Sequence, residues 1–148
     1  VFTAQCASCH APGGARTGQV IPIGEVGTDR HRLDTWTAPA ASAFNALTRG
    51  QAWAFTGFRK TDGMVAGLLD GLWLRGPYLH NGSVPTLAAL LEAPESRPRT
   101  FYRGYDVIDS AGVGFVSQGP QAQAAGFLVD TALPGNGNGG HGYGTALS

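Results

Sequence analysis

Two cysteines and a histidine near the start of the chain constrain its fold more than any other feature. Cys6, Cys9 and His10 form the pattern C-x-x-C-H, and these are the only two cysteines among the 148 residues. On one turn of helix, two thiols at this spacing can each add to a vinyl group of one porphyrin, and the next residue directs its imidazole at the iron. The spacing therefore predicts one covalent haem c on Cys6 and Cys9, with His10 as an axial ligand.

Two other uses of a C-x-x-C pair fit this chain less well. A thioredoxin-like redox pair is typical of a βαβ arrangement, which the residues around Cys6 do not suggest. A zinc site needs a second pair of ligands at close spacing, whereas the other histidines stand alone at His31, His80 and His141. Haem attachment remains the hypothesis that the sequence favours.

Composition and charge narrow the fold and the partners. Hydrophobic residues make up 43% of the chain, enough for a packed core, but the chain also contains 23 glycines and 9 prolines. These residues favour turns, so long loops are expected. The formal net charge is zero, which gives no indication of a nucleic-acid partner. No stretch approaches the roughly 20 apolar residues of a membrane span.

Local patterns predict short helices separated by loops. Pro39 suits the first position of one helix, and Ser83 suits the N-cap of another. The predicted elements are helices at 1–9, 29–36, 40–47 and 84–91 and short strands at 100–102 and 114–117. We expect a mainly α, cytochrome c-type haem domain with long loops and a few short strands. This single domain spans residues 1–148 and is expected to be a fragment of a longer protein.

The second axial ligand has several candidates, since the iron of an electron-transfer haem usually binds two protein ligands. Glycines on both sides of His141 let the backbone approach a flat cofactor. Met64 lies in a short apolar stretch, where it could equally be a packing residue. His80, in a turn before a helix, could bind iron or a haem propionate, whereas His31 lies in a charged, surface-like run. As the second axial ligand we expect His141 first, Met64 second and His80 third.

A block in the middle of the chain resembles a known family. Residues 72–87, with the sequence LWLRGPYLHNGSVPTL, are similar to the conserved block of bacterial di-haem cytochrome c peroxidase relatives. Among these, the block most resembles that of the rubber oxygenases (latex-clearing di-haem dioxygenases). Residues 25–29, 97–101 and 138–145 resemble the family's I-G-T-D, R-P-x-x-F and G-H-x-[FY]-G-T segments. The resemblance implies the C-terminal haem domain of that superfamily.

The resemblance also implies roles for single residues. The histidine of the G-H-x-[FY]-G-T segment is the family's distal ligand and matches His141. The histidine of H-N-G-S, here His80, lies near the haem rather than on the iron. The chain departs from the family pattern around Met64, which keeps that residue as an alternative ligand. The family's oxygen- or peroxide-activating haem lies in the other, N-terminal domain.

Side chains between residues 72 and 87 are expected to surround the haem. Trp73, Tyr78 and Leu87 would cover the macrocycle with apolar surface. Arg75 and His80 are candidate partners of the propionates, because a buried carboxylate needs a donor. For Arg75, an exposed side chain without such a role is equally expected.

These inferences predict a c-type cytochrome domain with His/His ligation that acts in electron transfer, because two strong ligands leave no open iron position. The alternative is the haem domain of a di-haem peroxidase or a rubber-oxygenase-like dioxygenase, with an open or labile sixth position. A single haem motif makes a self-sufficient enzyme the less expected case. The expected partner is a redox protein or a second haem domain. The expected location is periplasmic or extracellular, because haem is attached covalently outside the cytoplasm.

Overall fold

Short helices and two-stranded sheets, joined by loops, lie within residues 1–146, the part of the chain that this computed structural model describes. The α-helices in this range are α1 (Phe2–Gln5), α2 (Ala7–His10), α3 (Ile23–Val26), α4 (His31–Thr35), α5 (Ala38–Leu47), α6 (Leu87–Leu91) and α7 (Pro120–Ala125). The strands are β1 (Val20–Pro22), β2 (Gly63–Val65), β3 (Thr100–Arg103), β4 (Ile108–Asp109), β5 (Gly114–Phe115) and β6 (Phe127–Asp130). Two 3-10 helices cover Leu72–Leu74 and Pro94–Ser96.

The expectation of a mainly α fold is wrong. Helix accounts for 30% of the structure and strand for 14%, spread over several small sheets. The physical reason is that most helices end after one or two turns, as α3 does at Gly27, whose left-handed φ of 70° closes the helix. The longest helix, α5, contains no glycine, and the Thr37 side chain caps it by accepting from the Ala40 amide.

Antiparallel pairing joins distant parts of the chain. β1 pairs with β2, which places Ile21 opposite Met64. β3 pairs with β6, which places Phe101 opposite Val129, and β4 pairs with β5 as a short hairpin. The first of these sheets brings the segment after the C-x-x-C-H helix beside the loop that follows β2.

The best-packed part of the molecule lies around residues 78–90. Tyr78, Val84 and Leu90 form a buried cluster, and Leu87 packs against it. The Tyr78 hydroxyl lies 3.0 Å from two backbone carbonyl oxygens and donates to one of them. Burial raises the pKa of Tyr78, so the hydroxyl stays protonated and remains a donor.

The predicted N-cap of the helix in this region was misplaced. Thr86, not Ser83, caps α6, since its side chain accepts from the Ala89 amide at 3.1 Å. Ser83 is buried, and its hydroxyl donates to the carbonyl oxygen of Gly137 instead.

Within residues 1–146 no helix combines the length and apolar character needed to cross a bilayer.

Candidate functional site

The C-x-x-C-H residues lie on the first two helices. Cys6 separates α1 from α2, and Cys9 and His10 end α2. The amide of His10 donates to the carbonyl oxygen of Cys6 at 2.9 Å, which closes one helical turn. Both cysteines are free and half-buried. The two thiols are therefore available on the same turn, directly before the histidine.

The loop after β2 orients the imidazole of His10. Nδ1 of His10 lies 2.6 Å from the carbonyl oxygen of Gly67. A carbonyl oxygen only accepts, so Nδ1 carries the proton and the Nε2 lone pair is left for a metal. Metal-binding histidines are commonly oriented in this way. The loop is fixed in turn, since the Gly18 amide donates to the carbonyl oxygen of Ala66 at 2.7 Å.

Residues 135–141 form the His141 loop, and a carboxylate anchors its first half. Oδ2 of Asp29 accepts from the amides of Gly135 at 3.2 Å and Gly137 at 3.1 Å. Oδ1 accepts from the amide of His31 at 2.8 Å. The Asp29 side chain is 10% exposed. Burial acts to raise the pKa of Asp29, but hydrogen bonds from the amide and side chain of His31 and from the Gly137 amide outweigh it and hold the pKa below its usual value.

A guanidinium anchors the second half of the same loop. Nη1 of Arg97 donates to the carbonyl oxygens of Asn138 at 2.6 Å and Gly140 at 2.8 Å. Nη2 donates to the carbonyl oxygens of Leu90 at 3.1 Å and His141 at 3.3 Å. Arg97 is only 4% exposed. It therefore joins the His141 loop to α6 from inside the protein.

The H-N-G-S segment supports the loop as well. Nδ2 of Asn81 donates to the carbonyl oxygens of Gly135 at 3.1 Å and Gly137 at 2.9 Å. The Ser83 hydroxyl donates to the carbonyl oxygen of Gly137 at 2.9 Å. Two neighbouring side chains of this segment thus hold the backbone of the loop that carries His141.

The backbone places His141 in an uncommon conformation. Its φ is 46°, in the left-handed region that non-glycine residues rarely adopt. The amide of His141 donates to the carbonyl oxygen of Val26 at 2.7 Å. The preceding Gly140 packs on the backbone of Gly27 so closely that a Cβ would overlap it. Such a conformation costs about 1–3 kcal/mol and persists only where the surroundings hold it.

This loop brings His141 to His10. The two ring centroids lie 6.2 Å apart, with the planes inclined by 40°. Two imidazoles that bind one metal from opposite sides, each nitrogen about 2 Å from it, have centroids about 6 Å apart. A single metal ion therefore fits between the two rings.

The electrostatics of His141 also suit a metal ligand. Burial lowers the pKa of His141, and the nearby His10 and Arg97 add to this effect. The ring is thus neutral at pH 7, the form that binds metals. Its Nδ1 is buried and has no hydrogen-bond partner among the described residues.

Nowhere in residues 1–146 do three or more His, Cys, Asp or Glu side chains cluster as metal ligands. A metal between the two rings would need further donors of the kind that a porphyrin supplies, so these residues fit an iron porphyrin.

The remaining predicted residues occupy varied positions. Trp73 is 57% exposed. Arg75 donates to the carbonyl oxygen of Leu68 at 3.0 Å. Leu68 follows Gly67, whose carbonyl oxygen is hydrogen-bonded to His10. Tyr78 and Leu87 contribute to the protein core.

His80 and Met64 are half-buried. Nε2 of His80 is buried without a partner in the described part of the chain, and its carbonyl oxygen accepts from Arg32 at 2.9 Å. Burial lowers the pKa of His80. Met64 lies in β2. Of the predicted residues, His10 and His141 are the pair whose rings lie close together, 6.2 Å apart between centroids.

Sequence reasoning did not assign roles to Asp29 and Arg97. Both lie in segments that resemble family motifs, but a hydrogen bond from a side chain to a distant backbone group leaves no periodic signal in the sequence. The sequence also did not indicate the contacts of Glu25. Its carboxylate lies 2.6 Å from the guanidinium of Arg16 and accepts from the Tyr143 hydroxyl at 3.3 Å. The Tyr143 ring packs edge-on against His141.

Comparison with protein families places part of the chain in a class. Residues 63–102 match the family described as RoxA-like, cytochrome c-like. The match supports a cytochrome c-like domain of the RoxA family and, with it, the binding of haem. The C-x-x-C-H residues and His141 lie outside the matched segment.

Two proteins of Sinorhizobium fredii are similar to the chain. The uncharacterized protein y4iM is 34% identical over 157 residues, which cover 89% of this chain and 35% of that protein. The uncharacterized protein y4iJ is 47% identical over 73 residues, which cover 49% of this chain and 12% of that protein. The chain thus spans about a third or less of the length of these relatives.

Proposed function

We propose that this chain is an electron-transfer domain that carries one covalent haem c between His10 and His141. The observation that carries the proposal is the 6.2 Å separation of the two imidazoles, which fits an iron bound from both sides. Cys6 and Cys9 would hold the porphyrin through thioether bonds. With both axial positions filled, the iron would have no position open for oxygen or peroxide.

The residues around the two histidines suit electron transfer. When bound, the haem supplies an iron that exchanges one electron at a time. The hydrogen bond from His10 to the carbonyl of Gly67 keeps one ring in a fixed orientation. Asp29 and Arg97 keep the His141 loop in place from two sides. Rigid ligands keep the same geometry in both oxidation states, which lowers the reorganisation that each transfer requires.

The proposal extends to the context of the domain. We propose that residues 1–148 are a single domain of a longer protein, corresponding to the C-terminal haem domain of the di-haem superfamily. Its partner would be a second haem domain or a separate redox protein. Covalent attachment of haem would place the protein in the periplasm or outside the cell.

A ligand variant tests the proposed ligation. The oxidised wild-type protein should give a low-spin, six-coordinate optical spectrum. In His141→Ala the haem should stay attached, because both thioethers remain, and acid acetone should not extract it. The iron should become high-spin, and its reduced form should bind carbon monoxide.

Met64→Leu provides the matched control, since it replaces the competing ligand at nearly constant volume. This variant should keep the wild-type spectrum. If His141→Ala stays low-spin and does not bind carbon monoxide while Met64→Leu turns high-spin, Met64 is the ligand and the proposal is wrong. A high-spin wild-type protein would favour the peroxidase or dioxygenase alternative.

A further inference from the structure

We infer that Arg97 is the positioning residue for the sixth ligand, holding His141 on the iron through the backbone of its loop. This inference rests on the proposed function, because it assigns a role toward His141 as a ligand. The hydrogen-bond partners of Arg97 in the described part of the chain are carbonyl oxygens. What Arg97 controls is how readily the loop can lift His141 from the iron.

The geometry of the guanidinium supports this role. Its two terminal nitrogens donate to four carbonyl oxygens. Three of these belong to the His141 loop, at Asn138, Gly140 and His141. The fourth, Leu90, lies in α6 and belongs to the buried cluster. A planar fork with fixed donor directions can bridge the two segments, whereas the single nitrogen of a lysine cannot reach all four.

The charge of Arg97 has no hydrogen-bonded carboxylate partner within residues 1–146. None of the ion pairs among residues 1–146 includes it, and its Nε is buried without an acceptor. A buried charge is costly unless polar groups compensate for it. Here the carbonyl dipoles of the loop provide that compensation, so the loop and the guanidinium stabilise each other. Movement of the loop would leave the charge buried with only the carbonyl oxygen of Leu90 to compensate for it.

This dependence predicts a kinetic property. A bis-histidine haem binds carbon monoxide only after one histidine has left the iron. In the wild-type protein, departure of His141 breaks the bonds from Arg97 to the loop. Hydrogen bonds to a charged group are among the stronger ones in proteins, so the loss of even one should accelerate opening by about tenfold or more. The rate of carbon monoxide binding therefore reports how firmly Arg97 holds the loop.

The test measures this rate in the reduced holoprotein by rapid mixing. Arg97→Gln removes the fork and the charge and should accelerate carbon monoxide binding at least about tenfold. Arg97→Lys retains the charge and part of the hydrogen bonding and should give an intermediate rate. The matched control is Arg99→Gln, which removes the same charge from an exposed side chain two residues away. This control should bind carbon monoxide at the wild-type rate.

The outcomes separate this inference from the proposed function. If wild-type protein has no attached low-spin haem, the proposed function fails. If it has one, but Arg97→Gln and Arg97→Lys bind carbon monoxide as slowly as wild type, the inference about Arg97 is overturned. Equal acceleration by Arg99→Gln would overturn it too, since general charge would then be the cause.

A second measurement distinguishes positioning from loss of overall stability. Urea unfolding, followed by far-UV circular dichroism, gives the global stability of each variant. A positioning role requires faster carbon monoxide binding under conditions in which the variant remains fully folded. If Arg97→Gln does not fold, Arg97→Lys decides, and a wild-type rate in that folded variant overturns the inference.

Discussion

Asp29 is the acceptor counterpart of Arg97 in the support of the His141 loop. One carboxylate oxygen serves two amides of the loop, and the other serves the backbone of α4. An asparagine keeps a single oxygen and replaces the second with a donor, which would face the donors that Asp29 now binds. The two oxygens of an ionised carboxylate are therefore what this position requires.

Asp29 should make the stability of the fold dependent on pH in the acid range. Its pKa in the folded protein lies below the ordinary value of 3.8, so its contribution is complete above that value. The contribution decreases as the pH falls through the lowered pKa of the folded state. Asp29→Asn should lower the free energy of unfolding by about 1–3 kcal/mol at neutral pH. Urea unfolding between about pH 3 and pH 7 provides the measurement.

The stability difference between the wild-type and Asp29→Asn proteins should become smaller toward the acid end of this range. Comparing the two proteins at each pH removes the contribution of other groups that titrate there. Asp70→Asn is a control, because Asp70 is exposed and forms no ion pair among residues 1–146. A stability difference for Asp29→Asn that does not change with pH would contradict the assignment.

At the scale of elements, the sequence predicted local features better than long-range ones. The helix that bears Cys9 and His10 and the helix at 38–47 follow from local spacing and from Pro39. The sheet between β1 and β2 was not anticipated, because it pairs segments about forty residues apart whose side chains show no alternation. The mainly α expectation failed for the same reason, since glycine-rich loops can pair as short strands.

The candidate site was predicted unevenly in a similar way. His141 was identified by the glycines around it, which are visible in the sequence. Asp29, Arg97 and Asn81 were not identified as its supports, because each acts on backbone groups many residues away. A sequence specifies such contacts only through the fold. The residue proposed as the sixth ligand was therefore visible in the sequence, whereas the contacts that position it were not.

Helix α5 illustrates a contact between an element and the loop that follows it. Asn45 donates from Nδ2 to the carbonyl oxygen of Phe58 at 2.8 Å and accepts from the Phe58 amide at 3.0 Å. Phe58 also packs against Phe44 and Trp36. The amide side chain thus completes the pairing that a neighbouring strand would otherwise supply.

Asn45→Ala should remove both hydrogen bonds and cost about 1 kcal/mol of stability, because the site is partly solvated. The segment 48–58 should become more sensitive to limited proteolysis, while the haem spectrum should not change. Gln51→Ala is a control, since this exposed residue lies in the same segment. An unchanged cleavage rate in Asn45→Ala would show that the two hydrogen bonds do not hold the segment.

At the scale of the whole molecule, the protein core is small for a chain of this length. In residues 1–146 more large apolar side chains are exposed than buried. The segments that carry His10, Gly67 and His141 come from both ends and the middle of the chain. They meet around the space between the two imidazoles. A haem in that space would supply apolar surface and would also connect the N-terminal helices to the His141 loop.

The fold should therefore depend on haem attachment. In Cys6→Ser combined with Cys9→Ser, the porphyrin loses both covalent bonds, and the protein should lose much of its near-UV circular dichroism and its cooperative urea transition. Cys9→Ser alone retains one thioether and the axial ligands, so its unfolding midpoint should lie between those of the double variant and wild type.

Met64→Leu is the control, because it leaves the proposed ligands intact. His31→Ala is not suitable, because His31 contacts Asp29. A double variant that unfolds with the same midpoint as wild type would mean that the protein core is sufficient without the haem. The prediction that the fold depends on the haem would then be wrong, even if His10 and His141 still bind iron.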